Sequence, residues 1–273
     1  MMPAVLIVMV GFDYQRILDG VRYWNGRFGI RKIYLLYDRK RDKYGEASRR
    51  NARDLKNDLK IFNPELVPYN PQSYEETFIT LYKLIRKETE LNKYQVLIDS
   101  TSTTKEAHGA AITVSLMFQG VRVYVVPPVQ RGWYVPELDS NVCPQCGGSG
   151  RIDYDQWFED KRKVPGATPQ EVFLPGSRLE KPSWDEERVL LALEAHGGRA
   201  DSIKSIIEWC GEDPYDATMK NRFGRTVAKL ERAGLVESKE RSKTKKVALT
   251  EFGRILAKAM RAFNAEKQKI SNP

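Results

Sequence analysis

The 273-residue chain is poor in cysteine. Its three thiols, Cys143, Cys146 and Cys210, are too few for a disulfide framework, which points to a reducing, cytoplasmic setting. No run of about eighteen apolar residues occurs, so no segment reads as a membrane-spanning helix. Met1 to Val10 is apolar but lacks a basic leader and is too short to span a bilayer, so no membrane partner is expected. Neither the G-x-G-x-x-G spacing nor a Walker P-loop is present, which argues against ordinary NAD or ATP use. Internal repeats and low-complexity tracts are missing too. What the chain does contain is enough apolar content for real cores, 41% hydrophobic, with 30% charged residues and a net charge of +9. The length suggests about two domains, and the positive balance favours polyanionic partners such as nucleic acid or nucleotides.

The first half alternates apolar strands with helical patterns. Ala4 to Val10, Lys32 to Tyr37, Leu66 to Tyr69, Tyr94 to Asp99 and Val121 to Val126 read as buried strands. Between them lie a helix carrying Ile17, Leu18, Val21 and Trp24 and closed by Gly26 and Gly29, then helices over Glu46 to Ile61, Tyr74 to Glu90 and Lys105 to Gln119. This alternation predicts a Rossmann-like parallel sheet with helices on both faces, whose ligands bind at the carboxyl ends of strands near the topological switch point. Two turns fall there. One is Gly11, Phe12 and Asp13, where Gly11 permits close backbone approach and Asp13 suits either a helix cap or a ribose hydroxyl. The other is Asp99 followed by five hydroxyls, Ser100, Thr101, Ser102, Thr103 and Thr104, and then Lys105. Hydroxyls, unpaired N–H groups and an ammonium at a helix start suit a phosphate. The plainer alternative is a helix cap, although a cap needs only one hydroxyl. His108, one turn into the helix, is either a catalytic candidate or a hydrogen-bonded structural residue.

These two turns resemble the motifs of the CRISPR-associated Rossmann-fold (CARF) domains of prokaryotic defence systems. The likeness covers roughly the first half of the chain and rests on Gly11-Phe12-Asp13 and on the stretch Asp99 to Lys105, which corresponds to the family's Asn/Asp-x-Ser/Thr-x-Gly-Thr/Asn-Lys pattern. Thr103 stands where the family often has glycine. The resemblance implies a homodimer that binds a cyclic oligoadenylate across its two-fold axis, with Gly11, Phe12, Asp13, Ser100, Thr101, Ser102, Thr103, Thr104 and Lys105 as the ligand-binding set. No cofactor is required. Some relatives cleave their own ligand without metal, and Ser102, Thr104, Lys105 and His108 are the candidates for assisting such a step.

Residues 129–182 break the alternation with prolines and glycines, and predict a loop-rich insertion that packs on the sheet domain or on a partner subunit. Glu171 to Leu174 reads as its last short strand. Cys143 and Cys146 are spaced like one zinc-ribbon knuckle. With no second knuckle, and only Cys210, His108 and His196 elsewhere, zinc is not expected there.

Residues 183–273 read as a winged helix-turn-helix, after a sensor domain at 1–128. Ser183 and Glu186 form a capping box for a helix to Ala195. Helices over Ser202 to Cys210 and Tyr215 to Ala233 follow, then a ribbon pairing Leu235–Lys239 with Lys246–Thr250, and a closing helix to Phe263. The stretch Lys229 to Glu237 with Leu249-Thr-Glu-Phe-Gly closely resembles bacterial and archaeal winged-helix regulators. Ala217 to Lys246 carries ten cations against three carboxylates. Lys220, Asn221, Arg225 and Lys229 on the third helix, and Arg241, Lys243, Lys245 and Lys246 on the wing, form the expected contact set for double-stranded DNA. Together these readings predict a DNA-binding transcription regulator that senses a cyclic oligoadenylate at a dimer interface. The alternatives are a metal-independent ring nuclease, or a dimerisation platform that binds no nucleotide.

Overall fold

The computed structural model describes residues 3–129, 154–172, 179–241 and 244–271. The chain folds as two compact units, Met1–Thr77 with Glu88–Gly176, and Phe78–Lys87 with Ser177–Pro273. The first unit is built on a six-stranded sheet of order β3-β2-β1-β4-β5-β6. Its strands are β1 (Ala4–Val10), β2 (Ile30–Asp38), β3 (Glu65–Tyr69), β4 (Gln95–Asp99), β5 (Val121–Val125) and β6 (Gln170–Glu171). The first five are parallel, as their apolar runs predict, and β6 adds an antiparallel edge. All seven residues of β1 are buried, which follows from its place at the centre with both faces covered. Because β1 lies between β2 and β4, the strand order reverses there, and the switch point falls between the ends of β1 and β4.

Four helices connect the parallel strands: α1 (Tyr14–Asn25), α2 (Lys43–Asp58), α3 (Tyr74–Arg86) and α4 (Lys105–Ser115). Helix α1 presents Ile17, Leu18, Val21 and Trp24 to the core, the face its periodicity predicts. Helix α2 starts three residues before the expected Glu46, because the Asp42 carboxylate accepts the Gly45 N–H at 2.8 Å and sets an earlier cap. It ends at Asp58, and a short 3₁₀ turn, Lys60–Phe62, stops at Asn63 with φ 47°. Helix α4 ends at Ser115 rather than Gln119.

The expected loop-rich insertion contains a helix that the sequence reading did not place, α5 (Tyr154–Lys163). Residues 154–163 carry no proline or glycine, and the punctuation that suggested loops lies on either side. The Phe12 ring meets Trp157 and Phe158 of α5 at centroid distances of 5.5 and 5.9 Å. Arg162 pairs with Asp54 at 2.5 Å, and the Gly166 N–H donates to Asp19 Oδ2 at 2.8 Å. The described part of the insertion, residues 154–172, therefore packs on the sheet unit, one of the two dockings its aromatic content suggested. Of the expected last short strand, 171–174, the described part begins one residue earlier, at Gln170, and Phe173 and Leu174 lie outside the described residues. Cys143 and Cys146 lie outside the described residues.

The second unit has the winged-helix arrangement. Helices α6 (Trp184–Ala195), α7 (Ile203–Trp209) and α8 (Ala217–Arg232) precede an antiparallel ribbon, β8 (Val236–Arg241) and β9 (Thr244–Leu249), and a closing helix α9 (Glu251–Ser271). A two-residue strand β7 (Arg199–Ala200) pairs with β9, so the expected two-stranded wing is three-stranded, in the order β7-β9-β8. The Ser183 N–H donates to Glu186 Oε2 at 2.7 Å within the capping box at the start of α6. Gly234, at φ 69°, ends α8, the left-handed stop that glycine favours. Val189, Leu190 and Leu193 of α6, Ile206 and Ile207 of α7 and Phe223, Val227 and Leu230 of α8 form the core with Leu256 and Met260. Helix α9 runs eight residues beyond the expected Phe263. No helix among the described residues is long and apolar enough to cross a membrane.

The part of α3 that belongs to this second unit ends at Arg86, whose guanidinium donates to both Glu187 carboxylate oxygens at 3.2 and 3.0 Å. The same group lies 4.4 Å from the centroid of the Phe263 ring. Both members of the pair are largely desolvated, so breaking it strands a charge. Arg86→Ala is expected to lower whole-chain stability by about 3 kcal/mol, measured by denaturant unfolding. Arg86→Lys, which keeps one contact of the bidentate pair, should lose less.

Candidate functional site

The two turns nominated from sequence meet at the switch point. A side chain on Gly11 would overlap the Ser102 carbonyl oxygen, so the backbones of the β1 and β4 turns touch, and glycine is required there by close approach. Ser102 Oγ accepts the Asp13 N–H at 2.9 Å and donates to Asp13 Oδ2 at 3.0 Å. Asp13, only 6% exposed, occupies the cap position of α1, but its side chain makes no capping hydrogen bond. The carboxylate is drawn away by stronger partners. Oδ1 receives Arg16 at 2.7 Å and Lys161 of α5 at 3.3 Å. Arg16 Nε also donates to the Val126 carbonyl at 2.7 Å, which carries the network to the end of β5.

Each of the five consecutive hydroxyls has an internal partner. Ser100 Oγ donates to the Tyr124 carbonyl at 3.2 Å and lies 3.0 Å from His108 Nδ1. With Ser100 donating to the carbonyl, His108 Nδ1–H is the donor to Ser100, which leaves Nε2 as the acceptor of the ring. Thr101 Oγ1 accepts the Val126 N–H at 2.8 Å. Thr103 Oγ1 is 3.0 Å from the Tyr69 hydroxyl. Thr104 caps α4 by accepting the Ala107 N–H at 3.2 Å and donates to the Pro71 carbonyl. Ser100 and Ser102 are buried, Phe12, Thr101, Thr103, Thr104 and His108 are half-buried, and Lys105 is exposed at the start of α4. The corner thus offers solvent a lysine, the first-turn N–H groups of α4 that Thr104 does not cap, and three threonines already engaged from behind.

Beneath this surface Asp99 closes β4. Oδ1 accepts the Thr101 N–H at 2.9 Å, whereas among the described residues neither the buried Oδ2 nor the buried Tyr124 hydroxyl meets a partner in good hydrogen-bond geometry, although the two act on each other electrostatically. A Cβ on Gly20 would lie 3.2 Å from Asp99 Oδ2 and 3.2 Å from a ring carbon of Tyr124, so α1 crosses the sheet here on a glycine. Burial pushes the Asp99 carboxyl up to about 6, against the opposing pull of Thr101, Tyr124 and the Arg16 charge. Burial beside Asp99 holds the Tyr124 hydroxyl well above the usual tyrosine range.

On the winged helix, Lys220, Asn221, Arg225 and Lys229 lie exposed along one face of α8, without an ion pair among the described residues. Arg222, part of the basic count, is held by Asp185 at 2.5 and 3.0 Å and turned to α6. On the wing, Lys245 pairs with Glu231 at 3.1 Å and Lys246 with Asp201 at 2.7 Å. Lys243 and the side chain of Arg241 lie outside the described residues.

The sequence reading missed Arg16, Lys161, Ser48 and Asn51. Ser48 Oγ donates to the Val10 carbonyl and Asn51 Nδ2 to the Gly11 carbonyl, both at 2.7 Å, which fixes the end of β1 from α2. A signal existed in the polar, small residues on the inner stripe of α2, Ser48, Asn51 and Ala52, where a helix packed on apolar surface alone would carry larger apolar groups.

A family profile described as HFX_2341_N:-like, N-terminal, matches residues 4–131. Among curated proteins, none matches the chain. Among solved structures, the chain is similar to MepR, a transcription regulator of the Staphylococcus aureus multidrug efflux pump MepA, at 19% identity over 33% of this chain and 63% of that one, with a TM-score of 0.26. It is similar to Sso10a-2, a DNA-binding protein from Sulfolobus solfataricus, at 14% identity over 33% of this chain and 86% of that one, with a TM-score of 0.26. It is also similar to Enterococcus italicus Csm6 bound to cyclic hexa-2'-fluoro-hexa-dAMP, at 9% identity over 85% of this chain and 55% of that one, with a TM-score of 0.37.

The Asp99 environment gives a pH signature. Its folded-state pKa is raised, so its contribution to stability is fully present below the unfolded value near 4 and is lost as pH rises through about 6. Asp99→Asn, which keeps the acceptor for Thr101, should gain about 3 kcal/mol relative to wild type between pH 4 and pH 8. Urea unfolding of both proteins at the two pH values measures the difference.

Proposed function

We propose that this chain is a ligand-responsive, DNA-binding transcription regulator that works as a homodimer. The winged helix reads DNA, and the α/β unit senses a cyclic oligoadenylate at the β1 and β4 turns. The observation that carries the DNA reading is the exposed face of α8, where Asn221 and Arg225 can reach base edges while Lys220 and Lys229 meet phosphates. Lys245 and Lys246 of the wing are paired only on the surface, where ion pairs contribute between about 0 and 1 kcal/mol. They exchange readily for phosphate contacts. The sensing reading draws on Lys105 and the start of α4 at the carboxyl end of β4, the position at which open α/β sheets take ligands.

A second reading has its own support. Because all five hydroxyls of the β4 turn are satisfied from within, the turn is also a sound structural device without a ligand, as a dimerisation platform would need.

Two measurements decide. Incubation with cyclic tetra-adenylate, followed by thermal melting and chromatography, should give a higher melting temperature with intact ligand. No shift favours the platform, and a linear product means ligand cleavage. Lys105→Ala should weaken the thermal response at least tenfold in ligand concentration without lowering the melting temperature of the free protein. On DNA upstream of the protein's own gene, Arg225→Ala should lose about 1–3 kcal/mol of preference over a scrambled duplex while retaining non-specific binding. Unchanged preference removes Arg225 as a base reader.

A further inference from the structure

Tyr215 stands just before α8 and leaves 73% of its surface in solvent. Its backbone is nonetheless held firmly. Its N–H donates to Asp213 Oδ1 at 2.9 Å, and the next residue, Asp216, caps α8 by accepting the Thr218 N–H at 2.7 Å. Lys204, exposed on α7, folds back onto this ring. Its Nζ donates to the Tyr215 hydroxyl oxygen at 2.7 Å and lies 4.0 Å from the ring centroid. Neither residue forms an ion pair among the described residues, and Glu208, one turn along α7, acts on Lys204 only through space.

The hydrogen-bond inventory of this pair is lopsided. The ammonium spends one N–H on Tyr215 and keeps the others, and the tyrosine oxygen, accepting from lysine, still has its own O–H to give. The pair therefore presents to solvent a positive charge and a fan of donors, already oriented and with little further side-chain freedom to lose. Its placement is equally specific. Thr218, Asn221, Arg225 and Lys229 follow one another at steps of three or four residues on the exposed face of α8, and Tyr215 lies in the turn just ahead of the amino-terminal end of that line. At the rise of an α-helix the line from Thr218 to Lys229 alone covers about 16 Å, more than the roughly 12 Å width of a major groove. Cations at both ends can then reach the two backbones that border the groove.

We propose that Lys204 and Tyr215 form a binding site for a DNA backbone phosphate, which fixes the register of α8 in the major groove from its amino-terminal end, opposite Lys229. The assignment rests on the DNA-binding reading above. A phosphate contact carries no sequence information, so it strengthens binding to every duplex alike and releases a counterion.

Fluorescence anisotropy of the full-length chain, with the upstream duplex and a scrambled duplex over a series of salt concentrations, tests it. For Lys204→Ala the slope of log affinity against log salt should fall by about 1, and both duplexes should be bound about tenfold more weakly at moderate salt. Tyr215→Phe should weaken both duplexes by an equal, smaller factor of about threefold, while Lys204→Arg restores the wild-type slope. Both side chains are exposed, so melting temperatures should stay unchanged. If wild type binds both duplexes and the Lys204→Ala slope equals that of wild type, the phosphate site is wrong and the DNA reading stands. A loss confined to the upstream duplex also overturns it, since the pair would then be reading bases. Failure of wild type to bind either duplex overturns both.

Discussion

The carboxylate of Asp13 holds the first unit together at its switch point. It gathers the Ser102 hydroxyl from the β4 turn, the Arg16 guanidinium from α1 and the Lys161 ammonium from α5. Three stretches far apart in sequence, residues 13–16, Ser102 and Lys161, thus converge on one buried anion. A buried carboxylate without such company would carry a heavy desolvation penalty. With two cations and a hydroxyl around it, that penalty is offset and the geometry of the corner is set. The run of hydroxyls follows from the same constraint. Four of its members close different polar gaps where strands, helices and turns leave backbone groups short of partners, and Thr103 meets the Tyr69 hydroxyl, which is why one cap would not have sufficed.

The architecture was largely legible in the sequence because it is written in apolar periodicity. Val5 to Val8 and Val96 to Ile98 are apolar without interruption, since helices cover both faces of their strands. The stripes on α1, α6 and α8 predict the faces they bury. That the two nominated turns meet was legible too, because strand ends at a switch point are a property of topology. The partners of the site residues were not. Asp13 and Ser102 are 89 residues apart, and no local pattern announces that their side chains bond to one another. Helix α5 was hidden for a different reason. Its ten residues sit in a segment whose average composition is dominated by flanking prolines and glycines. Strand β7 is only two residues long, too short for any alternation to show.

Charge on the winged helix teaches a related lesson. The basic count from Ala217 to Lys246 treats all cations as equivalent, yet they divide into distinct groups. Arg222 is committed to Asp185 and helps seat α8 against α6. Lys245 and Lys246 hold surface carboxylates that water and salt already weaken. Lys220, Arg225 and Lys229 on the helix face make no ion pair among the described residues. A net charge is a sound guide to the kind of partner. Only the pairing tells which cations are available to meet it.

Helix α3 bears on how this protein can be taken apart. Its first turn lies with the α/β unit and Phe78–Lys87 with the winged helix, where Lys83 and Lys87 meet Glu266 at 3.1 and 3.4 Å. A fragment beginning at Ser177 would keep Glu266 and the Phe263 ring yet lack the cations and apolar side chains that cover them. Such a piece would be a poor surrogate for the intact protein in any crystallisation or reporter design. A faithful miniature would need a grafted copy of that helical segment.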